Sequence, residues 1–290
     1  MDREAVVELW QEVEGLRLHG WQAGPTKAGP KPAPVVFLLH GGGVDSAELS
    51  WCDTLPALAA SHRVYAFDWP GYDQSQAAPG VSSLDLYSRL LVGLMDGLGV
   101  VQASLVGISM GGGAALLFAL THPKRVERLV LVGSYGLQRK APWHFLSYCF
   151  VKWPALTRWS YAWARKRRSR TAWSLQTILK RPGSITERLV DQVSAAMRQP
   201  DVGLAFQSWQ RHELQKSGLR TVLVDRVGEL QMPVMIVHGG ADSLVPLAAA
   251  REAKAINPAI RLEIMDGCGH WTQRDWPDEF NRLVRDFLGS

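Results

Sequence analysis

Three residue types that together can make a hydroxyl reactive stand far apart in this chain of 290 residues: Ser109, Asp242 and His270. A serine hydroxyl is a weak nucleophile near neutral pH. It needs a base within hydrogen-bond reach and an acid that fixes the base's tautomer. Ser109 lies in Gly107-Ile108-Ser109-Met110-Gly111, between a strand-like apolar run at 103–106 and an Ala/Leu-rich stretch that continues to Thr121. Small residues on both sides permit a very sharp strand-to-helix turn. Such a turn lifts the hydroxyl to the top of a sheet and sets it at a helix N-terminus, where partial positive charge favours a developing anion. Taken alone, the same residues could be a plain βα connection with Ser109 as a cap.

The partners strengthen the first reading. His270 follows Gly267-Cys268-Gly269 after the strand-like run 261–265, and Asp242 follows the apolar run 234–237 and precedes Val245-Pro246. Asp266 is a weaker rival acid, and no acidic residue follows the run that ends at Gly133. Acyl transfer also needs two backbone N–H groups aimed at the oxyanion. Met110, directly after the nucleophile, supplies one. The glycine loop His40-Gly41-Gly42-Gly43 supplies the other, with Gly42 the first choice and Gly43 the second. His40 and Asp68 are expected to organise loops instead of reacting. This chemistry requires no cofactor and no metal.

Positioning these groups takes a set of strand ends. The runs at 35–39, 63–67, 103–106, 129–132, 234–237 and 261–265 read as strands, and those apolar on both faces as buried parallel ones. Residues 15–21 (GLRLHGW) alternate and predict an edge strand, and the Gly/Pro-dense 23–34 predicts a loop. Helices are expected over 46–60, broken or kinked at Pro56, over 83–98 with a Ser83 cap and a Gly99 stop, over 247–256 and over 277–288. This alternation implies an α/β fold, a mostly parallel sheet covered on both faces, with binding sites at the strands' carboxyl ends. From 137 to 220 the alternation stops and Trp-rich helical spacing takes over. The expected organisation is a core of 1–136 and 221–290 with a helical insert at 137–220.

Composition is that of a globular chain, 47% apolar and 20% charged. No apolar run approaches the roughly 18–20 residues of a membrane span. The start, MDREAVVELW, is acidic where a signal peptide would be basic, which makes a cytoplasmic location the expectation. Cys52, Cys149 and Cys268 have no metal-ligand spacing and read as reduced thiols. Charge is uneven. Residues 137–220 carry 16 Lys+Arg against 4 Asp+Glu, leaving 16 against 23 for the remainder. Within the insert, Arg165-Lys166-Arg167-Arg168-Ser169-Arg170 sits among Trp159, Trp163 and Trp173. Such a segment suits a phosphate-bearing surface, or a lid helix with aromatics toward the site and cations in solvent. The lid is the favoured reading; nucleic acid is not expected, and weak contact with an anionic membrane surface stays open. Oligomeric state is not legible.

Assembled, these pieces resemble the α/β-hydrolase superfamily over about residues 10–288, through HGGG at 40–43, DWPG at 68–71, GISMGG at 107–112, GGADSLVP at 239–246 and GCGHW at 267–271. The resemblance implies an eight-stranded sheet with an inserted helical cap and a Ser-His-Asp serine hydrolase. The ending at 268–288 and the stretch at 186–200 look similar to the meta-cleavage-product hydrolases, which cut C–C bonds in ring-fission products. Two positions depart from that group. Ile108 stands where Asn usually precedes the nucleophile. Gln192 stands where a cap Arg holds a substrate carboxylate, with Arg188 and Arg198 as substitutes. The HGGG loop also lacks the Pro-Gly and Asn that follow there. The expected function is therefore a carboxylesterase-type hydrolase acting on a hydrophobic or aromatic small molecule. C–C bond hydrolysis and a non-catalytic binding protein on the same fold are the alternatives.

Overall fold

The computed structural model describes residues 6–25 and 33–289. The first five residues of the acidic start and most of the Gly/Pro-rich loop lie outside the described residues. In chain order the elements are strands β1 (Val6–Val13), β2 (Leu16–Ala23) and β3 (Val35–Leu39); helices α1 (Ala47–Trp51) and α2 (Thr54–Ala59); β4 (Arg63–Phe67); α3 (Leu84–Gly97); β5 (Ala103–Ile108); α4 (Ser109–Thr121); and β6 (Val126–Val132). Five helices follow: α5 (His144–Lys152), α6 (Pro154–Ala164), α7 (Arg168–Leu175), α8 (Glu187–Ala196) and α9 (Leu204–Glu213). The chain then returns to β7 (Val234–Gly239), α10 (Leu247–Ile256), β8 (Arg261–Met265), α11 (Thr272–Asp275) and α12 (Pro277–Gly289).

The eight strands form one sheet in the order β1-β2-β4-β3-β5-β6-β7-β8. The pairs β1–β2 and β2–β4 are antiparallel and the others parallel. Successive strand residues face opposite sides. Phe37 and Leu39 of β3 accordingly join a core cluster with α3, α4 and α10, while Val36 and Leu38 join one with α1, α2 and α12. Helix α4 is buried along nearly its whole length, as expected of a helix apolar all round.

Two expectations are corrected. The strand read at 15–21 is interior, not an edge. Residues 6–13 form the edge strand beside it, through a hairpin whose turn residues Glu14 and Gly15 both have positive φ (+50° and +74°). The like neighbours Val6-Val7, Leu9-Trp10 and Gln11-Glu12 break the alternation, so no period announced this strand. The helix read over 46–60 is two helices, and the break falls at Cys52–Asp53, before Pro56. A proline ring collides with the carbonyl four residues earlier, and that residue is Cys52.

Candidate active site

The β5–α4 turn has the geometry that its glycines permit. Ser109 sits at the first position of α4 with φ +52°, a left-handed conformation that costs a non-glycine residue about 1–3 kcal/mol. A Cβ on Gly107 would lie 2.5 Å from the Gly111 carbonyl oxygen, and one on Gly111 would lie 2.3 Å from the Leu39 oxygen. Both positions therefore exclude any side chain. The register pairs Gly107 with Leu39, so the Ser109 turn and the glycine loop leave the sheet side by side. A Cβ on Gly41 would be 3.4 Å from the Ser109 Cβ.

Asp242 and His270 leave the neighbouring strand ends, after β7 and β8. The His270 Nδ1 lies 2.7 Å from Asp242 Oδ2, and both side chains are almost wholly buried. Asp242 Oδ1 accepts from the backbone N–H groups of Leu244 (2.8 Å) and Val245 (3.0 Å). Burial pushes the Asp242 carboxyl up. The His270 hydrogen bond and charge, with the two backbone donors, outweigh it and hold the group below the usual carboxylate range. An ionised carboxylate at Nδ1 fixes the proton there and leaves Nε2 free as a base. Asp266 makes no hydrogen bond to His270; its side chain lies against Gly240.

Several supporting residues carried no sequence signal. Gly133, φ +44°, sits where a Cβ would come within 3.1 Å of both Asp242 Oδ2 and His270 Nδ1. Buried His238 donates from Nε2 to the Val245 carbonyl (2.9 Å) beside Asp242, and burial lowers its pKa. Asp275 accepts from the Gly269 N–H (2.6 Å) and from those of Lys180 and Arg181, tying the His270 loop to the helical insert. Asp45 accepts from Gly41 N–H (2.8 Å), Ser46 N–H (2.8 Å) and Ser50 Oγ (2.8 Å) and so shapes the glycine loop; burial pushes its pKa up to about 7. Gly133 and Asp275 depend on residues far apart in sequence, while the contacts of His238 and Asp45 lie within seven residues and depend on how their loops bend, which residue spacing does not reveal.

His40 and Asp68 sit between loops. The His40 Nε2 accepts the Trp69 N–H (2.9 Å), and burial lowers the His40 pKa to about 3. Asp68 takes the Ala47 N–H (2.7 Å) on one oxygen and His19 Nδ1 (2.6 Å) on the other. With Asp73 these two form a group whose ligating atoms lie close enough to share a cation. Both oxygens of Asp68, however, are already engaged within the protein.

Two cavities meet at Ser109. One of about 250 Å³ is lined by the glycine loop, Asp45, Ile108, His270 and apolar side chains of the insert, including Leu175, Val193 and Met197. The other, about 550 Å³, is lined by Tyr135, Phe150, Trp209 and Leu219 among others. Phe206 of α9 lines both, and its ring occupies the space that a Cβ on Gly42 would need (2.2 Å). Among the described residues, no Lys or Arg lines either cavity. Gln192 lines a separate cavity that also contains Glu48, Asp73 and Asp201, and Arg188 lines another, beside Cys52 and Arg274.

The sequence model of the α/β hydrolase fold matches residues 34–275. The chain belongs to the α/β-hydrolase family. As a member it is a hydrolase. It is 32% identical over 282 residues to a 2-hydroxy-6-oxononadienedioate/2-hydroxy-6-oxononatrienedioate hydrolase of Pseudomonas putida, covering 88% of each chain. A 2-hydroxy-6-oxo-6-phenylhexa-2,4-dienoate hydrolase of Comamonas testosteroni is also 32% identical, over 258 residues and 87% of each chain. Among solved structures, the meta-cleavage product hydrolase CumD of Pseudomonas fluorescens IP01 superposes with a TM-score of 0.79 at 25% identity, covering 97% of both chains. The similarity to meta-cleavage product hydrolases thus runs through almost the whole of this hydrolase, not only the two stretches that suggested it. No helix among the described residues is long and apolar enough to cross a membrane.

Proposed function

We propose that this hydrolase cleaves an uncharged ester, or a similar carbonyl compound with a hydrophobic group, through an acyl-enzyme on Ser109. In the reaction, His270 Nε2 takes the Ser109 proton as Oγ attacks the carbonyl carbon. The oxyanion is held by the N–H groups of Met110 and Gly42. Gly43, the next residue of the loop, is the second choice for that donor. His270, oriented by Asp242, returns the proton to the leaving alkoxide. It then takes a proton from water as the water oxygen attacks the acyl carbon, and gives that proton to Ser109 Oγ as the ester bond to the serine breaks and the acid leaves. Residues 137–220 serve as a lid on the core of 1–136 and 221–290.

The observation that carries the substrate class is the lining of the two Ser109 cavities. Both are largely apolar, the smaller is lined in part by Asp45, and neither has a Lys or Arg among its lining residues. A substrate carboxylate would lose its hydration there without gaining a partner cation, which is unfavourable in a low-dielectric site. The second reading is C–C bond hydrolysis of a ring-fission product, and the relatives' names favour it.

A fluorophosphonate probe combined with a substrate comparison tests the proposal. Ser109 should be labelled, Ser109→Ala should be inactive, and short p-nitrophenyl esters should turn over faster than a vinylogous 1,5-diketo acid. Activity retained in Ser109→Ala refutes the nucleophile. Faster cleavage of the diketo acid refutes the ester and restores the C–C reading.

A further inference from the structure

The insert exposes aromatic surface that extends well beyond the residues lining the Ser109 cavities. Among the described residues, six of the seven exposed Trp and Phe side chains lie between 143 and 173, and Trp143, Trp153, Trp159 and Trp173 are 59–83% exposed. On α5, Phe145, Leu146 and Phe150 form one outward face. On α6, Leu156 and Trp159 face out while Thr157 turns in, its hydroxyl bonded to Gln207 of α9. Indole rings left in water lose much of the roughly 25 cal/mol per Å² that burial would return, so a patch of this kind marks a contact surface.

Charge identifies the contact. Arg158, Arg165, Lys166 and Arg167 are exposed next to these aromatics with no ion pair among the described residues. Arg168 pairs with Glu187 and Asp191, and Arg170 lies over Trp163 at 4.5 Å. Two copies of a segment with net charge +12 would repel each other, which disfavours self-association through this face. Tryptophan rings with Lys and Arg beside them suit the headgroup layer of an anionic bilayer, where ring, cation and lipid phosphate are all satisfied. The patch also leads inward, because Trp143, Leu146 and Phe150 line the 550 Å³ cavity that reaches Ser109.

We propose that the α5–α6 face and the 165–167 cations dock this protein on anionic membrane surfaces, with the mouth of the Ser109 cavity facing the lipid. The docking goes beyond the reaction assigned to Ser109 and does not depend on which bond that residue cleaves.

The test is flotation of the full chain with vesicles of phosphatidylcholine alone or mixed with phosphatidylglycerol, at low and high salt. The protein should float with the mixed vesicles at low salt and bind about tenfold or more weakly without the anionic lipid or at high salt. The double variant Trp153→Ser/Trp159→Ser and the triple variant Arg165→Ser/Lys166→Ser/Arg167→Ser should each lower partitioning about tenfold. Ser109 labelling and turnover of a water-soluble ester should stay unchanged in both, showing that they fold. No flotation at low salt overturns the proposal, as does flotation unaffected by both variants. Tighter binding to duplex DNA than to the vesicles, or a dimer that the Trp variant dissolves, overturns it too. Failed serine labelling in the parent protein would refute the reaction while leaving the flotation result intact.

Discussion

Around Asp242 both carboxylate oxygens have protein donors, and Gly133, which faces it and His270, leaves little room for a side chain. Across the cavity, the insert contributes Phe206, Leu175 and Met197, which touch the space through apolar surface alone. One side of the site is fixed by hydrogen bonds and close backbone approach. The other is fixed by packing and by a few anchors, such as Glu213, whose buried carboxylate accepts the Tyr135 hydroxyl (2.8 Å) and the Thr221 N–H (3.1 Å). Hydrogen-bonded geometry tolerates little displacement, while apolar walls tolerate changes of shape. The core should therefore govern how fast a bound substrate reacts, and the insert should govern which substrate binds.

The largest effects test the core. Asp242→Asn should lower kcat by about 10⁴-fold with little change in KM, because the neutral amide no longer enforces the His270 tautomer. A change confined to KM would break the comparison. Gly133→Ala should come next, lowering kcat about 100-fold by pressing a methyl group against His270 and Asp242, with folding checked by circular dichroism. On the insert side, Phe206→Ala should join the two cavities and shift preference toward bulkier acyl or alcohol groups by about tenfold in kcat/KM. Most of that change should fall in KM, and a dominant kcat loss would place Phe206 with the core machinery.

The smallest effect concerns stability. Asp45 titrates near 7 in the fold against a usual value near 3.8, so between those values the folded state binds more protons than the unfolded chain. Stability from this group is therefore present at low pH and lost as pH rises from about 4 to 7. Asp45→Asn should flatten that part of a Tm-against-pH curve. An unchanged slope would mean that the Asp45 hydrogen bonds keep it ionised throughout.

The sequence was most legible where local rules suffice. Six strand-like runs and one alternating stretch marked seven of the eight strands, Ser83 and Gly99 bracketed α3, and glycine spacing marked the turn at Ser109. It was less legible where the partner is distant. Strand β1 lacks a clean alternation and is held by pairing with β2, and Pro56 displaced a helix break by one turn. Gly133, Asp45 and Phe206 have ordinary sequence surroundings.

By itself, then, the sequence determined the order of strands and helices, the sharp Ser109 turn, and the charge contrast between the insert and the remainder. These follow from side-chain periodicity, glycine's conformational freedom and simple composition. Only the tertiary structure decided that Asp242, not Asp266, meets His270, that no Lys or Arg lines the Ser109 cavities, and that four of the insert's six tryptophans face outward. Those outcomes depend on which side chains the sheet order and helix packing bring within a few ångströms, and no pattern of neighbours along the chain encodes that distance.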